Sequence, residues 1–234
     1  MPGYWSTHEY HRMAVTNLQG WLGWTPFMKL VGLSKGSRER AFICASFATG
    51  GRITEVLALR KSNFEVLKDQ GIVLIKGMAL KKRYRKVEAI TKEDGSKGWL
   101  TEPVLKSRAA FPIVMAEPTT GIVLDWLGGI QDLLFESPYR DGPLSRFWGY
   151  NVLRELDRGI DPRLREELGL TKGMHLWPHM LRSLRASQLN EDYSLGLEEL
   201  LSFYSWESLV TARRYARKSW RSLASLMSGK VSYV

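Results

Sequence analysis

The chain has 234 residues, of which 44% are hydrophobic and nine are tryptophan, and this composition indicates a folded globule and excludes a disordered chain. No apolar run approaches the roughly 18 residues that a membrane-spanning helix needs. The formal net charge of +10 and the isoelectric point near 9.7 favour a polyanionic partner, and nucleic acid is the commonest one, although charge alone does not separate it from an anionic membrane.

The N-terminal region holds a short helical pattern, HEYHRMAVTNLQGWL, and then a stretch punctuated by glycine and proline. This is too little for a separate domain, so we expect residues 1–35 to form an arm and residues 36–234 to form the main domain. In that domain, RERAFICASFA is a predicted helix with apolar positions 41, 42, 45 and 48 on one face. TGG ends this helix, and RITEVLALR begins another.

Two segments have the composition of β-strands. GIVLI at 71–75 is rich in β-branched residues, and YRKVEAI at 84–90 is a plausible return strand. We expect the two to pair as an antiparallel hairpin, with the basic stretch KGMALKKR as their connection.

The rest of the chain is predicted to be mainly helical. The helical patterns are TGIVLDWLGGIQDLLF, SRFWGYNVLRELDRG and DPRLREELG. After HLWP the helical pattern continues almost to the end of the chain, and residues 209–227 are predicted to form an amphipathic helix with an apolar stripe. The predicted fold class is therefore mainly α with a small antiparallel β-sheet (α+β).

Several kinds of site are not predicted. The one cysteine, Cys44, excludes an internal disulfide, and its apolar surroundings predict a buried side chain. His8 and His11 have no ligand cluster beside them, so no metal site is expected. There is no phosphate-binding glycine loop, so no cofactor is expected either. The cysteine usage and a start without the pattern of a secretion signal favour an intracellular protein.

The first half of the main domain carries two charged groups. In TGGRITE, Arg52 follows a glycine turn, and Glu55 lies one helical turn later on the same face, where its carboxylate can hold the guanidinium. The predicted hairpin carries Lys76, Lys81 and Lys82 around its turn. Taken alone, the first group is an ordinary salt bridge at a helix start, and the second is a solvated loop.

The second half carries two more groups. In WPHMLRSLRASQL, His179 follows a proline at a helix start, and Arg182 lies three residues later on the same face. In WESLVTARRY, Tyr215 lies at the edge of the apolar stripe, nine residues after Trp206. An H-x-x-R pair and a tyrosine at the edge of a core are both common, so neither group is specific by itself.

Together the four groups have the composition of a site for phosphodiester cleavage. Arg52 and Arg182 can donate paired hydrogen bonds to the non-bridging oxygens as charge builds on five-coordinate phosphorus. Tyr215 can attack phosphorus and hold a 3′-phosphotyrosine. His179 can assist proton movement, and a hairpin lysine can protonate the leaving 5′ oxygen. Trp206 can donate its indole N–H to the phosphate.

At these positions the sequence resembles the tyrosine recombinase family of phage and mobile-element integrases. The first arginine motif, T-G-x-R-x-x-E, reads TGGRITE at 49–55, and the second box, H-x-L-R, reads HMLR at 179–182. The third box has His or Trp nine residues before the nucleophile, which is the interval from Trp206 to Tyr215. The resemblance covers residues 37–220, and three boxes in this order are highly specific.

The resemblance implies the catalytic-domain fold of that family, with Glu55 supporting the catalytic groups. The hairpin lysine of the family matches Lys76, and the long hairpin leaves Lys81 and Lys82 as rivals. Two departures are visible: Ser183 follows the second arginine where many members have His, and the third box has Trp in place of the more frequent His. The helical DNA-clamping domain that usually precedes the catalytic domain is missing or reduced to the N-terminal arm.

The predicted function is therefore site-specific DNA strand cleavage and rejoining without metal or ATP. The implied partner is double-stranded DNA, bound by a homotetramer in which the C-terminal helix docks either on a neighbouring subunit or on its own domain. Lys81, Lys82, Arg83 and Arg85 are expected to contact phosphates, and Arg185, Arg213 and Arg214 are weaker candidates. A nicking-closing enzyme like type IB topoisomerases and a non-catalytic DNA-binding protein remain as alternatives. The expected location is the cytoplasm or nucleoid of a prokaryote, or the host cell of a virus or mobile element.

Overall fold

The computed structural model describes most of the chain between residues 20 and 215. The described residues are 20–21, 23–79, 83–91, 96–104, 107–139, 141–170 and 173–215. At 83–87, 90, 99–104, 211, 214 and 215 only the backbone is described.

The order of elements is helical, then β-rich, then helical. The helices are α1 (Trp24–Gly32), α2 (Ser37–Thr49), α3 (Ile53–Leu57), α4 (Pro118–Gly128), α5 (Arg146–Gly159), α6 (Pro162–Glu167), α7 (Pro178–Asp192), α8 (Leu197–Tyr204) and α9 (Leu209–Tyr215). The strands are β1 (Phe64–Leu67), β2 (Ile72–Ile75), β3 (Arg83–Thr91), β4 (Lys97–Val104) and β5 (Phe111–Val114). Short 3₁₀ turns, Lys61–Asn63 and Lys68–Gln70, flank β1.

Helix α2 lies at the centre of the fold. The sequence predicts one apolar face for it, but every residue from 41 to 49 is buried. The reason is that α2 packs against α1, α3, α4 and α7, so almost no part of its last three turns meets solvent. Helix α2, whose last residue Thr49 begins the TGGR turn, is therefore held in place by four neighbouring helices.

The antiparallel three-stranded sheet has the order β1-β2-β5. Ile75 of β2 lies opposite Phe64 of β1 on one side and Phe111 of β5 on the other. The prediction that GIVLI pairs with YRKVEAI is therefore wrong. Strand composition is a local property, whereas the pairing partner is chosen by packing of the buried Ile75 and Phe111 side chains in the core.

The YRKVEAI segment instead belongs to a separate two-stranded ribbon formed by β3 and β4. This ribbon is inserted between β2 and β5, which are themselves paired. Below it, the chain forms a short stem, in which Arg108 N donates to Met78 O at 2.8 Å and Ala79 bridges to Ser107. The stem returns the chain to the place where it left the sheet.

The helices predicted from SRFWGYNVLRELDRG and DPRLREELG are confirmed as α5 and α6. The helix predicted over TGIVLDWLGGIQDLLF is wrong in its second half, because α4 ends at Gly128. Leu134 N donates to Leu59 O at 2.8 Å, and Leu133 bridges to Arg60, so this segment bonds to another part of the chain in place of a helix.

The long C-terminal helical pattern is divided into α7, α8 and α9. Ser194 and Ser205 have left-handed backbones, with φ of 56° and 49°, and they interrupt the pattern between these helices. Residues 216–227 of the predicted amphipathic helix lie outside the described residues.

Helix α1 lies inside the predicted N-terminal arm and packs on the main core. Its Phe27, Leu30 and Val31 are buried in the same hydrophobic cluster as α2. In the described part of the chain, no helix is both long and apolar enough to cross a bilayer. The predicted class, mainly α with a small antiparallel sheet, is confirmed.

Candidate active site

The turn between α2 and α3 has no space for larger residues than glycine. Gly50 has φ +56°, and a Cβ there would lie 2.4 Å from Cε1 of Tyr204. A Cβ at Gly51 would lie 2.3 Å from Cε of Met78. The two glycines therefore let the turn pack directly against α8 and the stem, and this packing sets the position of the residue that follows.

Arg52 is that residue, and Glu55 holds it. The backbone N–H of Arg52 donates to Oε2 of Glu55 at 2.8 Å, and its Nη1 donates to Oε1 at 2.6 Å. The side chain of Arg52 is 39% exposed and that of Glu55 only 1%. The predicted pairing is confirmed, and it leaves part of the Arg52 guanidinium open to solvent.

Glu55 is an anion among cations. Burial by itself raises the pKa of this carboxyl, but the charge of Arg52, its backbone and side-chain hydrogen bonds and the charge of Arg182 outweigh burial. The pKa of Glu55 is therefore below its usual value, so the carboxylate stays ionised at neutral pH.

Arg182 reaches the same place from α7. Its side chain is 3% exposed, its Nη1 donates to the backbone oxygen of Gly50 at 2.6 Å, and Nη1 lies 4.0 Å from Oε2 of Glu55. Arg52 and Arg182, which are far apart in the sequence, thus meet at the Glu55 carboxylate. The structure brings the first and second arginine boxes together.

Two aromatic rings form one wall of this site. Tyr204 and Trp206 stack with ring centroids 4.2 Å apart and planes 11° from parallel. The guanidinium carbon of Arg182 lies 4.5 Å from the centroid of Tyr204 and 5.2 Å from that of Trp206, within the range of cation–π attraction. The Tyr204 hydroxyl also donates to the Arg182 carbonyl at 3.2 Å. We call Arg52, Glu55, Arg182, Tyr204 and Trp206 the arginine cluster.

His179 is the second residue of α7, after Pro178, and it is half-buried. It lies one turn before Arg182, as predicted from the spacing, and Ser183 Oγ donates to its carbonyl at 3.0 Å. The helix start thus directs two box residues from one rigid element.

Lys76 is placed on the surface at the end of β2. Its Nζ forms an ion pair with Glu65 of the neighbouring strand, and about half of its side chain is exposed. Two residues later, Met78 packs against the glycine turn. Lys76 therefore lies on a segment that contacts the site, while its ammonium group is paired with Glu65.

The other hairpin candidates are described only in part. Lys81 and Lys82 lie outside the described residues, and Arg83 and Arg85 lie on β3, where only the backbone is described. Tyr215 lies on α9, and its side chain is likewise not described. Helix α9 itself packs against α8 and α7, and its Ala212 is fully buried.

Sequence reasoning missed two residues here, Tyr204 within the cluster and Arg108 beside it. Tyr204 is 1% exposed and touches Gly50, Arg182 and Trp206 as described above. Arg108 is 2% exposed, and its guanidinium lies 5.1 Å from the centroid of Tyr204. Burial lowers the pKa of Arg108 well below its usual value, and the charge of Arg182 lowers it further. The sequence signal that could have indicated a buried Arg108 is its position just before the apolar strand FPIV.

One weaker candidate for DNA contact is wrong. Arg185 is 1% exposed and donates to Oε1 of Glu117 at 2.5 Å and to Oε1 of Gln188 at 2.7 Å. The Arg185 guanidinium is paired with Glu117 inside the core, so it cannot contact a phosphate backbone. Arg213, in contrast, is exposed.

Cys44 is fully buried, as predicted. Burial raises the pKa of its thiol to about 12, so it stays protonated at neutral pH. Among the residues that the structure describes, no three His, Cys, Asp or Glu side chains are grouped as metal ligands would be.

No protein-family model matches the chain, and no curated protein matches it. Solved structures match over nearly its whole length. XerH site-specific recombinase bound to its difH substrate gives a TM-score of 0.52 at 18% identity, covering 97% of this chain and 54% of that one. XerA recombinase gives a TM-score of 0.51 at 17% identity, covering 100% of this chain and 65% of that one. The Tn1549 transposon integrase in complex with transposon right end DNA gives a TM-score of 0.56 at 13% identity, covering 93% of this chain and 68% of that one.

The chain spans between about half and two thirds of the length of these structures. At these identities the likeness concerns the fold. The chain has the tyrosine recombinase catalytic-domain fold.

Proposed function

We propose that this chain is a site-specific DNA recombinase or integrase that cleaves and rejoins strands through a 3′-phosphotyrosine at Tyr215. The observation that carries the proposal is the meeting of three sequence-distant boxes in one cluster. Glu55 touches Arg52 and approaches Arg182, and Arg182 lies over the ring of Trp206. Tyr215 lies nine residues after Trp206 on α9, and α9 packs against the helix of Arg182.

The proposed chemistry is a transesterification. The Tyr215 oxygen attacks phosphorus, the bond from phosphorus to the 5′ oxygen breaks, and a 5′-hydroxyl is released. Arg52 and Arg182 balance the negative charge of the five-coordinate transition state. His179 assists removal of the tyrosine proton, and Lys76 gives a proton to the leaving oxygen. Rejoining reverses these steps with another 5′-hydroxyl, so the bond energy is kept and no ATP is needed.

The charges around the site support a DNA partner. The two arginines of the cluster share one carboxylate, so the cluster has a net positive charge that suits a phosphate. The chain as a whole carries +10. XerH, which shares the fold, is described bound to its difH substrate, and the Tn1549 integrase in complex with transposon right end DNA. In our proposal Lys76 exchanges Glu65 for DNA when the duplex binds beside the end of β2.

Further parts of the proposal concern the assembly. Lys81, Lys82, Arg83 and Arg85 contact phosphates beside the cleavage position. Four copies act on two duplexes, with the segment after Tyr215 docking on a neighbouring subunit. Residues 36–234 act as the catalytic domain, residues 1–35 as its N-terminal arm, and the protein works inside the cell.

The test is covalent capture of DNA. The full chain is incubated with a pool of nicked duplexes that carry random sequence around the nick, so that a cleaved strand loses its short end and cannot be resealed. We expect a protein–DNA band that survives denaturation and disappears in Tyr215→Phe. Tyr139→Phe is the matched control, because Tyr139 is 93% exposed on a loop, and this variant should keep the band.

The outcomes separate the candidate functions. DNA binding without a covalent product from the wild-type chain contradicts the enzyme and supports a non-catalytic DNA-binding protein. If the chain forms the covalent product and relaxes supercoiled DNA but transfers no strand between two labelled duplexes, the result supports a nicking-closing enzyme. Transfer between duplexes made from the captured sequence supports the recombinase.

A further inference from the structure

Arg108 joins two segments that each lead into the arginine cluster. Its Nη1 donates to the backbone oxygen of Thr49 at 2.6 Å, and its Nε donates to that of Phe203 at 2.5 Å. Thr49 lies three residues before Arg52, and Phe203 lies three residues before Trp206. One side chain thus holds the approach to the first box and the approach to the third box.

The two carbonyls belong to the ends of helices. Thr49 is the last residue of α2, and Phe203 is the next-to-last residue of α8. Carbonyls in the last turn of a helix have no intrahelical donor, and the C-terminal end of a helix carries partial negative charge. The Arg108 guanidinium therefore satisfies two helix ends at once, with both its hydrogen bonds and its charge.

Aromatic rings fix the plane of this guanidinium. Its central carbon lies 3.5 Å from the centroid of Phe111 and 4.6 Å from that of Phe203. On the backbone side, Arg108 N donates to Met78 O in the stem, and Ala109 N donates to Ser205 Oγ at 3.1 Å. Arg108 is therefore anchored to the segment that carries Lys76 as well as to the two helix ends.

A displacement of either helix end would reach the cluster directly. Gly50, next to Thr49, accepts the hydrogen bond from Arg182 at 2.6 Å. Tyr204, next to Phe203, stacks on Trp206 and lies under the Arg182 guanidinium. Two contacts of Arg182 are thus made by the neighbours of the two residues that Arg108 holds.

We propose that Arg108 is a positioning residue, which sets the distance between the Arg52 turn and the Trp206 segment by bonding both helix ends without touching DNA. The inference rests on the proposed function. A lysine keeps the charge but not the planar fork that bonds two carbonyls from fixed directions. The geometry of the fork is therefore the property to be tested.

The experiment compares Arg108→Lys with Arg165→Lys in the full chain. Arg165 is a matched control, because its guanidinium also bonds two backbone oxygens, those of Met174 and Asp157. For each protein we measure covalent capture at saturating DNA, the affinity for the same DNA, the melting temperature and amide hydrogen exchange. Arg108→Gln, which keeps two amide donors without the charge, replaces Arg108→Lys if the latter does not fold.

We expect the Arg108 variant to lose about tenfold to 100-fold in capture rate, because small misplacement of reacting groups has effects of this size. Its DNA affinity should be unchanged, and exchange should quicken at Gly50–Arg52 and at 205–206. The Arg165 variant should keep the capture rate.

Three results would overturn the inference, and they differ from failure of the proposed function. Capture at the wild-type rate by the folded Arg108 variant removes the positioning role. Equal loss of capture in both variants indicates a general effect of lost stability. A loss of affinity with an unchanged rate indicates contact with DNA instead. If the wild-type chain captures no DNA, the proposed function itself is wrong.

Discussion

Two arginines one turn apart on α7 have opposite surroundings. Arg182 and Arg185 are both almost fully buried, at 3% and 1% exposure. Arg185 bonds Glu117 at 2.5 Å, and Gln188 and the Tyr193 hydroxyl also point to that carboxylate. Arg182 lies 4.0 Å from Glu55, which is already bonded to Arg52, and it lies against two rings and a backbone oxygen.

The difference is one of charge balance. Glu117 matches the charge of Arg185 one to one, and burial together with the negative charge of Glu117 raises the pKa of Tyr193 to about 12. Glu55 is shared by two arginines, so the positive charge around it exceeds the negative charge. A buried arginine with its own carboxylate forms a neutral pair, whereas a carboxylate shared by two arginines leaves net positive charge, which in our proposal attracts an incoming phosphate.

The largest expected effect is on stability at Arg185. Arg185→Met should lower the free energy of unfolding by about 3–5 kcal/mol, because it leaves the Glu117 charge buried without its cation. Adding Glu117→Gln should restore much of the loss, since the amide oxygen can still accept from Tyr193 while the charge is gone. Urea unfolding followed by circular dichroism measures both. A double variant as unstable as the single one would contradict the role of charge balance.

The second-largest effect is expected on the rate of covalent capture when Arg182 is replaced. Arg182→Lys should slow covalent capture by about 100- to 1,000-fold, the usual loss when a donor to a developing oxyanion is removed. Arg185→Lys is the control, with the same substitution at the same depth on the same helix, and it should keep the rate below its melting temperature. Equal rates for the two variants would remove the functional distinction between the two arginines.

The glycine turn should show a smaller effect on stability. Gly50→Ala and Gly71→Ala place a side chain on similar left-handed backbones, with φ of +56° and +66°. At Gly71 nothing lies within 4 Å of the new Cβ, whereas at Gly50 it meets Tyr204. We expect Gly50→Ala to be less stable than Gly71→Ala by about 1–3 kcal/mol, the cost of overpacking, in thermal unfolding. Equal losses would mean that Tyr204 moves aside freely.

The smallest effect concerns pH. The pKa of Glu55 is lower in the folded chain than in the unfolded one, so its ionised form stabilises the fold above the unfolded pKa near 4.5. This contribution is lost as the pH falls through the lower, folded pKa. Glu55→Gln should therefore reduce the difference in stability between pH 6 and pH 3, measured by urea unfolding. An unchanged pH dependence would show that Glu55 does not contribute to it.

The sequence predicted those parts of the site that local spacing determines. Arg52 and Glu55 are three residues apart at a helix start, and His179 and Arg182 share one helix, so helical geometry alone brings each pair together. The order of the boxes then indicated that the pairs belong to one site.

The parts that were missed depend on distant contacts. Arg108 bonds carbonyls 59 and 95 positions away, and no local pattern marks those oxygens. The partner of β2 was misassigned for the same reason, because β5 follows β2 only after the whole ribbon. The prediction that Arg185 contacts DNA fails because composition does not show that Glu117 is its partner.

The stem below the ribbon has a consequence for how this chain can vary. Hydrogen bonds between β2 and β5 and from Arg108 to Met78 close the loop before the ribbon begins. Lengthening a loop whose ends are already joined is cheap, since each doubling costs only about 0.6 kcal/mol. The segment between 80 and 106 can therefore change in length or sequence with little effect on the folded core.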